Sequence, residues 1–188
     1  TCGLVLAGGL ARRMGGGEAF AVTSPLQLHD VNCRLLQTAL ERGFPFTTTV
    51  CPMAGATSPY TVAGTALLAN IDALLPILIA QVLKPGHPCY YVAAPSVMDM
   101  RNGHDLYYKA EKVKFKLIGI QMARFYNVPA AGEFGGSMTY RHDMQNGAES
   151  MAYILASVLG GQASMIGLGS LDNANGMSGE QIIMQCGL

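Results

Sequence analysis

Short apolar runs alternating with longer helical stretches constrain this chain more than any other feature. Residues 1–7 read as a strand ending in Gly8-Gly9, and residues 19–23 as another ended by Ser24-Pro25. A helix capped by Asp30 runs to Arg42 and stops at Gly43, a helix C-terminal signal. Residues 46–51 are Thr-rich and β-branched, which predicts a strand. Thr61 opens a long apolar helix that ends before Lys84-Pro85-Gly86, and residues 88–93 form the next strand. The first half of 107–126 alternates, but its length and lack of internal Pro predict a helix. Residues 129–133 follow as a strand. Asp143 caps a helix whose apolar face is Met144, Ala148, Met151, Leu155 and Val158, spaced by threes and fours on one stripe. Gly160-Gly161 ends it. A final strand covers 163–166, and a Gly/Asn/Ser loop over 167–179 leads to a helical stub at 180–184.

Repeated strand–helix units imply a parallel sheet covered by helices. Apolar runs without clean alternation fit strands buried on both faces. Such units build either a barrel or an open doubly wound sheet. A full (β/α)8 barrel usually needs at least about 200 residues, and this chain has 188. No Pro/Ser linker divides it. The expectation over 1–188 is a single α/β domain, and the pattern leaves two forms open: an incomplete (β/α)8 (TIM-type) barrel or an open doubly wound, Rossmann-like sheet.

Composition narrows the function classes. Twelve Lys+Arg balance twelve Asp+Glu, and half of the residues are hydrophobic. A disordered chain would need few apolar residues and high net charge. A nucleic-acid binder would need surplus basic charge. Five cysteines without a CxxC pair predict neither a disulfide framework nor a zinc or iron–sulfur site, and fit a reducing, cytoplasmic setting. His29, His87, His104 and His142 lack metal-ligand spacing, so no metal is expected. No secretory signal is expected either. The apolar stretch 66–83 carries Asn70, Asp72, Pro76 and Gln81, which favours a buried helix over a membrane span. Lys109, Lys112 and Lys116 line one helix face, read as a solvated face or a dock for an acidic partner.

Two signals carry chemistry. Leu6, Ala7, Gly8, Gly9, Leu10, Ala11, Arg12, Arg13, Met14, Gly15 and Gly16 form a strand followed by a glycine-rich, Arg-bearing loop. Such a loop lets backbone N–H groups and Arg approach a phosphate, or is simply a flexible turn. The second signal is the set of loops 52–59, 93–103, 134–143 and 167–176, which follow strands. In parallel α/β folds, sites lie at the carboxyl ends of strands. Asp99, Glu133, Tyr140, Asp143, Gln145, Asp172 and Asn175 come to that edge. Asp and Asn there also cap helices or shape turns, and Asp143 sits where an N-cap belongs. Tyr60, Tyr90, Tyr91, Tyr107, Tyr108, Phe134 and Tyr140 lie near the same strand ends. Aromatic faces attract ammonium groups; core packing is the other reading of Tyr90 and Tyr91.

From Ser24 onward the chain resembles the trimethylamine methyltransferase family. The carriers are Ser24-Pro25-Leu26, the run Pro52-Met53-Ala54-Gly55-Ala56-Thr57-Ser58-Pro59-Tyr60-Thr61-Val62-Ala63-Gly64, Lys84-Pro85-Gly86-His87-Pro88 and Met98-Asp99-Met100. Gly135-Gly136-Ser137 follows, with Asp143, Gln145 and Glu149. The resemblance implies a (β/α)8 barrel that delivers a methyl group to the Co(I) of a corrinoid (cobalamin) on a separate, cognate corrinoid protein. Family members are longer, so it also implies an internal part of that barrel. Part of the family uses pyrrolysine near the region aligned with 132–143. Only standard residues stand here, which points to the branch that demethylates quaternary amines such as glycine betaine. A quaternary ammonium leaves as a neutral amine, so the work is positioning and desolvation rather than general acid catalysis. Under this reading Asp99, Glu133 and Asp143 are the candidate catalytic carboxylates. Tyr91, Phe134, Tyr140, Arg141, Gln145 and Asn175 are the candidate substrate-binding residues. Asp99 or Glu133 would hold the ammonium beside aromatic faces, and Arg141 a substrate carboxylate. The expected partners are a corrinoid protein and a small amine, with no nucleic acid and no membrane. Open barrel edges would favour a homo-oligomer.

Leu6 to Gly16 is similar instead to the opening nucleotide-binding motif of molybdenum cofactor guanylyltransferases. That resemblance implies GMP transfer from GTP to molybdopterin with Mg, using Leu6, Ala7, Gly8, Gly9, Arg13, Gly15 and Gly16. The Lys expected after the loop is replaced by Gly17-Glu18-Ala19-Phe20, and no Asp-x-Pro metal motif follows. Residues 1–17 therefore read as a Gly-rich segment foreign to the rest. A nucleotidyltransferase is the runner-up function, and a catalytically inert barrel fragment the third.

Overall fold

A computed structural model describes residues 30–187 apart from Thr48 and Phe134. The strands expected over 1–7 and 19–23, the Gly-rich loop and Phe134 lie outside the described residues. The elements are α1 (Asp30–Arg42), β1 (Phe46–Thr47), β2 (Met53–Ala54), α2 (Val62–Leu83), β3 (Cys89–Tyr90), β4 (Ser96–Val97), α3 (Ala110–Phe125), β5 (Ala131–Glu133), α4 (Met144–Gly160), β6 (Ser164–Ile166), β7 (Ser170–Leu171), β8 (Gly176–Met177) and α5 (Gly179–Cys186).

The strands are short, but their pairing is continuous. Phe46 pairs with Cys89, Val50 bridges Ala93, and Met53 pairs with Ser96, all parallel and in one unchanged register. Ala94 and Ser96 donate backbone N–H bonds to Val50 and Pro52 along this seam. Segment 89–97 pairs in turn with β5, through the parallel Tyr91–Ala130 bridge and the Ala131 N–H bond to the Tyr91 carbonyl. β5 then pairs parallel with β6. Four parallel segments thus lie side by side in chain order, with α2, α3 and α4 as successive crossovers, so the α/β character with parallel strand–helix units is plain. One antiparallel pair, β7–β8, lies within the loop expected over 167–179.

Local chemistry sets the helix ends. Thr61 caps α2 by accepting the Gly64 N–H, and Asp143 caps α4 by accepting the Asn146 N–H at 2.9 Å. Gly43 and Gly161 take left-handed backbone beyond α1 and α4, with φ of 73° and 75°. The main core joins Leu36 and Leu40 of α1, Ala73, Ile77 and Ala80 of α2, Ile120 and Ala123 of α3, and Phe46, Val50, Tyr91 and Ala130 of the sheet. Among the described residues α2 is the helix long and apolar enough to cross a membrane. In this fold it joins two strand segments that lie side by side, and it buries Asp72 and Ala73 completely.

Two sequence expectations are overturned. The apolar stripe of α4 does not face inward: Met144 is 89% exposed, Leu155 49% and Val158 57%. The helix instead buries Asn146, Ser150, Tyr153, Ile154, Ala156 and Ser157. Hydrogen bonds explain the reversal. Ser150 and Tyr153 bond to backbone carbonyls at Gly136, Tyr107 and Lys109, so these hydroxyls keep partners when buried. The lysine face of α3 is the second correction. Lys109 is exposed, but Lys112 is 2% and Lys116 7% exposed, because both turn onto the strand that ends in Glu133.

Candidate functional site

A buried polar cluster sits at the carboxyl end of β5. Glu133, the last residue of that strand, is buried. Lys112 and Lys116 stand one helical turn apart in the first half of α3, on the same stripe as Phe115, Gly119 and Ile120. Lys112 Nζ reaches Glu133 Oε1 at 3.3 Å, and Lys116 donates to the Glu133 backbone carbonyl. Tyr107, from the loop before α3, donates its hydroxyl to Glu133 Oε1. Its oxygen also lies 3.7 Å from Cys51 Sγ, on the first strand segment. Tyr107, Tyr108 and Tyr153 stack edge to face in sequence, at 5.0 and 5.5 Å between centroids.

The electrostatics follow from burial and these pairs. Burial pushes the Glu133 carboxyl up, but Lys112, Lys116 and the Tyr107 hydroxyl outweigh it and hold the pKa at about 2. Desolvation lowers both lysines, Lys116 to about 8, against the pull of Glu133. Desolvation and the nearby Glu133 charge keep Tyr107 and Tyr108 protonated. The cluster therefore holds an ionised carboxylate with its own cations already in place. It can orient a phenol, and its Glu133 carboxylate, being ionised, is not itself a general acid.

Two glycines of the Gly135-Gly136-Ser137 motif make room for this arrangement. A Cβ on Gly136 would lie 2.1 Å from the Tyr108 ring, and one on Gly135 would lie 2.5 Å from Gln185 Nε2. Ser137 then donates to Glu149 Oε2 at 2.7 Å, and the Met138 N–H reaches the same oxygen at 2.7 Å. Glu149 also accepts from Gln145 at 2.9 Å. The motif is thus a packing device that docks its loop onto α4.

The other candidate residues are spread more widely. Asp99 does not join Glu133; both of its oxygens bind Arg101, at 3.0 and 2.9 Å, and Arg101 holds its pKa at about 2. Asp143 caps α4 and also accepts from Thr139. Tyr91 packs in the core, with its hydroxyl donating to Asn70 at 2.9 Å. Tyr140 and Arg141 stand exposed beside one another before α4, the guanidinium 5.1 Å from the ring. Gln145 and Asn175 are exposed, and Asn175 shapes the β7–β8 turn by donating to the Asp172 carbonyl. Sequence reasoning passed over Lys112, Lys116, Tyr153 and Asn173 as site-forming residues. The lysines shared the periodicity of Phe115 and Ile120, which was the available signal.

Residues 16–188 match the family described as Trimethylamine methyltransferase (MTTB). Residues 6–15 of the Gly-rich start precede that match. A glycine betaine methyltransferase of Desulfitobacterium hafniense (strain Y51) is 36% identical over 133 residues, 70% of this chain and 28% of the relative. A trimethylamine methyltransferase of Methanosarcina thermophila is 27% identical over 162 residues, 86% of this chain and 34% of the relative. A proline betaine:corrinoid methyltransferase of Eubacterium limosum is 27% identical over 121 residues, 64% and 25% of the two chains. The chain spans about a third or less of the length of these relatives. With residues 16–188 matched, the chain belongs to the trimethylamine methyltransferase family.

Proposed function

We propose that the chain takes part in moving a methyl group from a quaternary amine of the betaine type to a corrinoid delivered by a partner protein. The observation that carries the substrate class is similarity: 36% identity to the relative named for glycine betaine, against 27% to the one named for trimethylamine. The proline betaine relative, whose name includes corrinoid, supports the acceptor. In this reading the corrinoid is a second substrate, brought by its own carrier. Strand order that follows chain order supports a segment of a (β/α)8 barrel over a doubly wound sheet, whose order reverses at a switch point.

The geometry refines the roles. Glu133 and Asp99 are each paired with cations of the chain itself, so neither is a spare counter-ion for the substrate ammonium. Aromatic faces and exclusion of water take that task. Arg141, exposed beside Tyr140, suits the betaine carboxylate through bidentate hydrogen bonds. The test is calorimetric titration of the chain with glycine betaine, choline and trimethylamine. An assay for dimethylglycine formation, with reduced corrinoid carrier protein, accompanies it. Glycine betaine should bind and be demethylated, and Arg141→Ala should weaken it at least about tenfold, the loss of one charge-assisted bidentate contact. Binding and turnover of trimethylamine without betaine would overturn the reading.

A further inference from the structure

Lys112 is unusual for where its ammonium lies. Nζ sits over the face of the Tyr107 ring, 5.8 Å from the Tyr108 ring centroid, and 3.3 Å from Glu133 Oε1. The residue is 2% exposed. Two aromatic rings and a carboxylate around one buried cation make the kind of cage that binds ammonium groups. Here the cage is filled by the chain's own side chain. Lys116, buried on the same helix, satisfies the Glu133 carbonyl with its ammonium.

We infer that Lys112 is a positioning residue, the resident cation of a Tyr107–Tyr108–Glu133 cage, which fixes the phenol and carboxylate at the end of β5 and keeps them from soluble cations. The inference concerns this cluster alone and stands whether or not a betaine is the substrate. Removing the cation leaves two costs. Glu133 becomes a buried charge without its ion-pair partner, and the rings face a void. A small alkylammonium from solution would meet both.

The experiment is rescue of Lys112→Ala. Propylammonium reproduces the atoms removed. When propylammonium is present at ten times its Kd, the melting temperature of the variant should rise by about 3–5 °C. Propanol should give no such rise. Wild type and Lys112→Met, whose cages are filled, should not respond to propylammonium. Equal responses of all three proteins would overturn the inference. If Lys112→Ala does not fold, Lys112→Met decides. It keeps the volume, so Glu133, followed by carboxyl carbon NMR, should take up its proton at higher pH than in wild type. The groups facing that carboxylate are Tyr107, Tyr108 and Tyr153, Lys116, and, through Tyr107, Cys51. An unchanged Glu133 titration in Lys112→Met would show that Lys112 does not set the carboxylate's state, and would overturn the inference as well.

Discussion

Asn173 holds the backbone that presents Tyr107. Its Oδ1 accepts the Tyr107 N–H at 2.8 Å, and its Nδ2 donates to the Asp105 carbonyl at 2.6 Å. The β7–β8 turn thereby fixes the start of the loop that enters α3, far away in sequence. Asn173 has left-handed backbone, φ 53°, which Asn tolerates better than most residues.

Asn173→Ala removes both bonds and leaves a part-buried N–H and carbonyl without them. Stability should fall by about 2 kcal/mol. Urea unfolding of the variant beside wild type measures it; a change under about 0.5 kcal/mol, the ordinary surface range, would mean that the two bonds hold nothing.

Stability should change with pH in two separate windows. Lys116 has a folded pKa of about 8, below its unfolded value of about 10.4, so protonation costs the folded state. That cost is complete below pH 8 and fades as pH rises toward the unfolded value. Urea midpoints should therefore increase from about pH 7.5 to about pH 9.5, and Lys116→Met should flatten the increase. The rise ends near pH 10, where tyrosines ionise in the unfolded chain while Tyr107 and Tyr108 resist it. On the acid side Glu133 has a depressed pKa of about 2. Its contribution is present above the unfolded value of about 4.3 and is lost as pH falls through 2. Glu133→Gln should remove that limb.

Arg101→Ala tests the Asp99 pair. Freed of the guanidinium, Asp99 should titrate above about 2 yet stay below the ordinary value of about 3.9, because the Arg101 backbone N–H, which the variant keeps, still donates to Oδ1 at 3.0 Å. Carboxyl carbon NMR reads the shift directly. Arg101 is 89% exposed in its side chain, so the melting temperature should hardly move.

The reversed face of α4 predicts an unusual pair of substitutions. Leu155→Ser, on the exposed stripe, should change stability by less than about 0.5 kcal/mol. Tyr153→Ala, at 1% exposure, should cost about 3–5 kcal/mol. Chemical denaturation of the two variants compares them. The opposite order would restore the apolar face as the inner one.

Much of the fold could be read from local signals. The Asp30–Arg42 helix ends at Gly43 as expected, Thr61 and Asp143 cap where their side chains suit, and the crossover order follows from alternating strand and helix periods. The α4 error arose because periodicity counts apolar side chains and not hydrogen-bond partners. Ser150 and Tyr153 bury their polar atoms against carbonyls that belong to distant loops. The lysines of α3 misled for a related reason. A charge looks solvated until its partner is known, and Glu133 lies on a strand that sequence spacing cannot bring to it. Glu133 itself was legible as a strand-end carboxylate, whereas its two cations and the Tyr107 hydroxyl emerge only from packing.

The unchanged register between 46–54 and 89–97 has a consequence for how this sequence can vary in length. Side chains alternate along a strand, so losing one residue between Thr47 and Val50 would turn the buried Val50 to the opposite face and slide every later pair, Met53 with Ser96 included. Among related chains the span from Phe46 to Ala54 should therefore keep a fixed count of residues.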